Sequence, residues 1–152
     1  MKNFMFLFVF IGIAALTSCN KDDNNPTPQT TSSLVAKIDG VSITFDQVTV
    51  AKDVQPDYVD LLITAHPSGD NTKTITFNVT QLATGTDACY YFVYSREDTN
   101  YAWDLETGGN SFVLNVTENT STKIKGTFSG TLPNDDLTSA IAFSNGTFDI
   151  TY

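Results

Sequence analysis

Aromatic side chains crowd one stretch of this chain. Tyr90, Tyr91, Phe92 and Tyr94 come before Ser95 to Asn100, and Tyr101 and Trp103 come after it. A hairpin that pairs Tyr94 with Tyr101 sets Phe92 against Trp103 and Tyr90 against Leu105, so that one face carries Tyr90, Phe92, Tyr94, Tyr101 and Trp103 together. Exposed to solvent, that face would stack on sugar rings while tyrosine hydroxyls and nearby Asp or Asn side chains bonded to sugar hydroxyls. Tyr94, Tyr101 and Trp103 are then the candidate ligand-binding residues. Buried, the same rings are the large fillers of a β core, with Tyr91 and Asp104 looking outward.

Other chemistries find less to work with. His66 is the one histidine and precedes Pro67 in a predicted turn. A Ser-His-Asp triad would have to use it, yet Ser129 lies in Gly-x-x-Ser-Gly rather than the Gly-x-Ser-x-Gly of a nucleophile elbow. One histidine and one mature cysteine do not supply a zinc set, and no phosphate loop or dinucleotide fingerprint is present. Carboxylates are plentiful, but no spacing singles out a hydrolytic pair. Calcium prefers hard oxygen ligands on loops, and two acid clusters offer them: Asp53, Asp57 and Asp60 in one connection, and Asp135 and Asp136 beside Asn134 in another. Neither has the spacing of a known calcium loop, so no cofactor is expected and calcium stands as the one candidate. With 8 basic and 17 acidic residues the net charge is −9, which disfavours nucleic acid and anionic membrane as partners.

The elements that must position these residues read as short strands. Asp39-Gly40 suits a type I′ hairpin, whose central residues need positive φ. Such a turn pairs Ile38 with Val41, Ala36 with Ile43 and Leu34 with Phe45 on one face, and Lys37 with Ser42 and Val35 with Thr44 on the other. Asn145-Gly146 invites the same reading, pairing Phe143 with Phe148 and Ile141 with Ile150. Between these turns the alternation continues: Val59, Leu61, Ile63 and Ala65; a turn over Pro67 to Asn71; Ile75, Phe77 and Val79; Phe112, Leu114 and Val116; then Ile124, Phe128 and Leu132 around Gly126 and Gly130. Apolar positions are odd through Phe45 and even at Val48 and Val50, so a bulge or corner near Asp46-Gln47 is expected. The predicted fold is all-β, an antiparallel two-sheet sandwich or its barrel-like variant, with about nine or ten strands.

The first residues follow the layout of a secretory signal: Lys2 is charged, Phe4 to Ala15 are almost wholly apolar, and small residues precede Cys19. As a helix the apolar run reaches about 18 Å, short of a hydrocarbon core of about 30 Å, so it reads as a cleaved leader rather than a span. Leu16-Thr17-Ser18-Cys19 resembles the lipobox of bacterial lipoproteins. The resemblance implies that Cys19 becomes the first mature residue and carries acyl chains that hold the protein to the membrane. Removal of Lys2 then makes the mature chain one unit more negative. Asn20-Lys21-Asp22-Asp23 is similar to the acidic export signal of Bacteroidota lipoproteins displayed at the cell surface, which implies an outer-membrane, lipid-anchored and surface-exposed location. Asn24 to Ser33 holds no apolar residue and reads as a flexible tether with a reach of roughly 20 Å. The expected organisation is therefore a signal over 1–18, a lipidated cysteine and tether over 19–33, and a β domain over 34–152.

With Cys19 acylated, Cys89 has no disulfide partner in the mature chain and reads as a small buried hydrophobe. Four Asn-x-Ser/Thr triplets, at Asn78, Asn115, Asn119 and Asn145, carry no glycosylation meaning in a bacterial lipoprotein. The endings Gly126-Thr127-Phe128-Ser129-Gly130-Thr131-Leu132 and Ile141 to Ile150, with the opening Ile38-Asp39-Gly40-Val41, resemble a family of small β-rich Bacteroidota surface lipoproteins that has no established activity. That likeness implies location and fold and brings no functional residues. Together these readings lead to a noncatalytic, lipid-anchored envelope binding protein whose ligand is a glycan or a protein. A structural or assembly component of the envelope or fimbriae is the alternative, and a hydrolase the third.

Overall fold

A computed structural model of the chain describes residues 32–104 and 111–152. The predicted signal, Cys19 and most of the tether lie outside the described residues, as does Leu105. Ten strands follow one another: β1 (Ser33–Ile38), β2 (Val41–Phe45), β3 (Gln47–Val54), β4 (Val59–His66), β5 (Lys73–Thr80), β6 (Cys89–Arg96), β7 (Thr99–Asp104), β8 (Phe112–Asn119), β9 (Lys123–Pro133) and β10 (Ala140–Thr151). A short 3-10 turn, Thr86–Ala88, precedes β6. The strands form two antiparallel five-stranded sheets, β2-β1-β10-β9-β8 and β3-β4-β5-β6-β7. The fold is thus a β-sandwich, and the sheets do not close into the barrel-like variant. The domain starts slightly earlier than expected: Ser33 is already in β1 opposite Asp149, and Ser32 Oγ donates to the Thr151 carbonyl and accepts from the Thr151 N–H, each at 3.0 Å.

Local turn chemistry explains the first hairpin. Asp39 and Gly40 both take positive φ, 48° and 84°, and the β1–β2 register is the one that the Asp-Gly turn dictates, from Leu34 opposite Phe45 to Ile38 opposite Val41. Leu34, Ala36, Ile38 and Phe45 are buried, whereas Ile43 is half-buried and Val41 is 64% exposed, because β2 is the edge of its sheet. Asp46 is the expected corner. It separates β2 in one sheet from β3 in the other, and its Oδ1 accepts the Ser68 N–H at 2.7 Å, which pins the crossing to the β4–β5 turn.

The second expected hairpin does not form. Asn145 and Gly146 lie inside the twelve-residue strand β10, where the ladder to β9 slips between Phe143–Gly130 and Gly146–Phe128. One extra residue sits in β10, a bulge in which Asn145 takes φ 53°. Gly146 is required there by close approach, since a Cβ would press on the Phe128 carbonyl oxygen and come within 2.6 Å of the Phe128 ring. The misreading has a definite cause. A two-residue hairpin turn and a one-residue bulge both convert odd apolar positions into even ones, so either places Ile141, Phe143, Phe148 and Ile150 on one face. All four are buried.

The core lies between the sheets. Leu61, Ile63 and Ala65 of β4 and Ile75, Phe77 and Val79 of β5 are fully buried, facing Leu114, Val116, Ile124, Phe128 and Leu132 of the other sheet. Phe92 is the hub of the ring cluster, with centroids at 4.7 Å from Phe112, 5.1 Å from Phe128 and 5.8 Å from both Phe77 and Phe143.

Candidate functional site

The aromatic hairpin has the predicted register: Tyr94 opposes Tyr101, Phe92 opposes Trp103, and Tyr91 opposes Asp104. Its turn is made by Glu97 and Asp98, with Glu97 at φ 55°. The face it turns inward is core rather than platform. Tyr94 and Tyr101 are 1% and 6% exposed, and Tyr94 packs against Phe45, Phe143 and Tyr101 at centroid distances of 6.4, 5.5 and 6.2 Å. Of the three candidate ligand-binding residues, Tyr94 and Tyr101 therefore belong to the sandwich interior, because the hairpin's inner face is also the inner face of its sheet. Burial raises the Tyr94 phenol above its usual pKa, and Arg96 acts against that rise.

Trp103 is different. Strand β7 is an edge, so its last inward ring is only half-buried. The indole packs on Phe112 at 5.8 Å and lines an open cleft of about 200 Å³ with Thr86, Asp87, Val113 and Leu114. The short 3-10 turn brings Thr86 and Asp87 there; Gly85, just before it, exchanges backbone hydrogen bonds with Val116 of β8 at 2.9 and 3.1 Å. An indole face, a carboxylate and a hydroxyl in one cleft can stack on and hydrogen-bond to a small polar ring.

The sixth aromatic of the hairpin moves to the opposite side. The register expected from strict alternation places Tyr90 on the core face with Phe92, but the β5–β6 ladder slips between Phe77–Phe92 and Val79–Cys89. Tyr90 and Tyr91 both oppose Asn78, whose Oδ1 accepts the N–H of each at 3.0 Å. Cys89 takes the inward position, and Tyr90 is turned outward and 43% exposed. The sequence signal that could have found this is Asn78 itself, a short amide on the polar face of β5 opposite two consecutive tyrosines. Two of the other Asn-x-Ser/Thr asparagines also have backbone duties: Asn119 Nδ2 donates to the carbonyls of Thr80 and Ala83, and Asn145 holds the β10 bulge.

The remaining candidates do not gather. Asp53 and Asp60 face each other across β3 and β4, but Asp53 Oδ1 accepts Gln55 Nε2 at 3.0 Å and Asp60 Oδ1 accepts Thr80 Oγ1 at 2.9 Å, while Asp57 is exposed in the intervening turn. Asp135 and Asp136 are exposed in the β9–β10 loop, which Asn134 Oδ1 holds by accepting the N–H groups of Thr138 and Ser139. Among the described residues no three His, Cys, Asp or Glu side chains converge as metal ligands, so neither acid cluster forms the calcium set considered from sequence. His66 spends its Nδ1 on the Pro67 carbonyl, 3.2 Å away in its own turn. Cys89 is fully buried, its thiol bonded to the Tyr91 carbonyl at 3.2 Å, and burial pushes its pKa up to about 12, which keeps it a protonated, unreactive hydrophobe.

No protein-family model matches this chain, and no curated protein matches it either.

Proposed function

We propose that this chain is a lipid-anchored envelope protein of the small Bacteroidota surface-lipoprotein kind, acylated at Cys19, whose β-sandwich binds a ligand without turning it over. The acyl chains are its membrane partner, and the ligand is a glycan held in the Trp103 cleft. The half-buried indole beside Asp87 and Thr86 carries this reading. The described chain starts at Ser32, beside Thr151, so an anchored tether leaves the turns at Asp39-Gly40 and Asn134–Ser139 at the far end, directed away from the membrane.

Two measurements test it. The native product is expected to have an intact mass that fits a chain starting at Cys19 plus its acyl groups, and Cys19→Ser is expected to release the protein from the membrane fraction. A mature chain with an unmodified leader would remove the anchor. Trp103 is the one tryptophan, so its emission reports directly on the cleft. Titration with soluble glycans is expected to shift or quench that emission, and Asp87→Asn to weaken binding by about tenfold, about 1.4 kcal/mol. Trp103→Ala loses packing on Phe112 as well, so the Asp87 variant separates binding from folding. Emission indifferent to every glycan would end the cleft reading.

The assembly alternative rests on β3. Among the described residues this eight-residue edge strand pairs with β4 alone. Its inward Lys52 stands 4.7 Å from the Tyr152 ring centroid, and an inward charge on an edge strand discourages addition of another chain. Oligomers that grow with concentration would favour the alternative over the binding reading.

A further inference from the structure

The β6 bulge creates a second aromatic surface, on the outer face of the sheet β3-β4-β5-β6-β7 and away from the Trp103 cleft. Phe92 and Trp103 oppose each other on the inner side, whereas Tyr91 opposes Asp104 on the outer one. Tyr90 joins Tyr91 there because the extra residue re-aims it. Asn78 satisfies both exposed N–H groups of the bulge, so the distortion leaves no orphaned donor and holds one geometry. Beyond Asn78, Thr80 Oγ1 lies 2.9 Å from Asp60 Oδ1 and 2.9 Å from Tyr90 OH. A threonine hydroxyl has one proton. It donates to the carboxylate and accepts from the tyrosine, which makes a directed chain Tyr90 to Thr80 to Asp60. The Tyr90 ring is therefore pinned at its hydroxyl while part of its surface stays in water.

We propose that Tyr90 and Tyr91, with Asp60 and Thr80, form a binding surface for an uncharged saccharide. A pyranose has an apolar C–H face and a rim of hydroxyls. The C–H face suits a fixed phenol ring, and the hydroxyl rim suits a carboxylate whose second oxygen can accept. Pre-fixing the ring through Thr80 lowers the ordering cost of binding. The sign of the charge selects the class: the half-buried Asp60 and a chain of net −9 repel uronate and phosphate polymers, so the polymer is neutral. This surface goes beyond the cleft reading and does not depend on it.

Retention of the full-length, detergent-solubilised protein on immobilised xylan, mannan and mixed-linkage glucan tests both surfaces, with polygalacturonate as the anionic control. Tyr90→Ala and Tyr91→Ala are each expected to weaken retention on a neutral polymer about tenfold. Tyr90→Phe, which keeps the ring, is expected to retain most of it, and polygalacturonate is expected not to bind. Asn78→Ala leaves both rings in the chain but removes the acceptor that holds the bulge, and is expected to weaken retention too; Tyr90→Thr serves if the alanine variant fails to fold. Wild-type retention in the Tyr90→Ala/Tyr91→Ala double variant, with loss in Asp87→Asn, overturns the tyrosine surface and leaves the cleft. The reverse pattern supports the tyrosine surface and overturns the cleft. No retention of the wild type on any neutral polymer overturns the tyrosine surface outright.

Discussion

Phe92→Ala is expected to be the most damaging single truncation in the domain, costing about 3–5 kcal/mol. The ring belongs to one sheet and touches Phe112, Phe128 and Phe143 of the other, as well as Phe77 beside it. Its removal leaves a void at the place where the two layers meet, and neither sheet can collapse into that void without pulling its ladder out of register. A domain of this size has a total stability of roughly 6–18 kcal/mol at about 0.05–0.15 kcal/mol per residue, so the loss is a large share of the whole. Thermal unfolding is expected to fall by roughly 10–20 °C. Chemical denaturation provides the check: a midpoint shift worth less than about 1 kcal/mol would mean that the rings do not form one continuous core.

Gly130→Ala is expected to cost a comparable amount for a different reason, about 2–6 kcal/mol from backbone strain and overpacking together. Gly130 sits in β9 opposite both Phe112 and Phe143 and takes φ 127°, a region that side-chain-bearing residues rarely adopt. A Cβ there would also run into the Ser111 carbonyl oxygen and come within 2.5 Å of the Phe112 Cα. Both obstacles are backbone, so no rotamer change relieves them. The Ser111 carbonyl already accepts the Thr131 N–H at 2.7 Å, and moving it breaks the β8–β9 junction. An alanine variant that unfolds at the wild-type denaturant midpoint would contradict this account. Ser129→Ala, next along the same strand but exposed, is the control and is expected to stay within about 0.5 kcal/mol.

These two positions also show how unevenly the fold could be read in advance. The alternation of Ile124, Phe128 and Leu132 around Gly126 and Gly130 was legible, yet that Gly130 lies inside one continuous eleven-residue strand follows only from its neighbours on both sides. The Asp39-Gly40 hairpin was fully legible, down to every pair, because a type I′ turn is decided by residues adjacent in sequence. Asn145-Gly146 offered an equally favoured turn dipeptide and became a bulge. The flanking strands β1 and β9 keep β10 extended through it, and parity cannot tell the two outcomes apart.

The candidate site was legible to a similar depth. The pairing of Tyr94 with Tyr101 and of Phe92 with Trp103 was present in the spacing, and so was the choice between platform and core. Burial decided that choice for Tyr94 and Tyr101, and it depends on which face of the sheet meets the other sheet. Tyr90 could not be placed from alternation, because the slip that turns it outward needs Asn78 across the ladder as its partner.

By itself, the sequence determined that the described chain is a set of short alternating strands, that Asp39-Gly40 turns and Asp46 breaks the pattern, and that Cys89 is an interior side chain. These depend on near neighbours: φ preferences, period-two alternation and side-chain volume. Only the tertiary structure decided that β10 runs unbroken beside β1 and β9, that Trp103 lies at an edge while Tyr94 and Tyr101 are enclosed, and that Tyr90 and Tyr91 share the outer face. Each of those outcomes is fixed by hydrogen-bond partners and packing surfaces far away along the chain, which no local preference encodes.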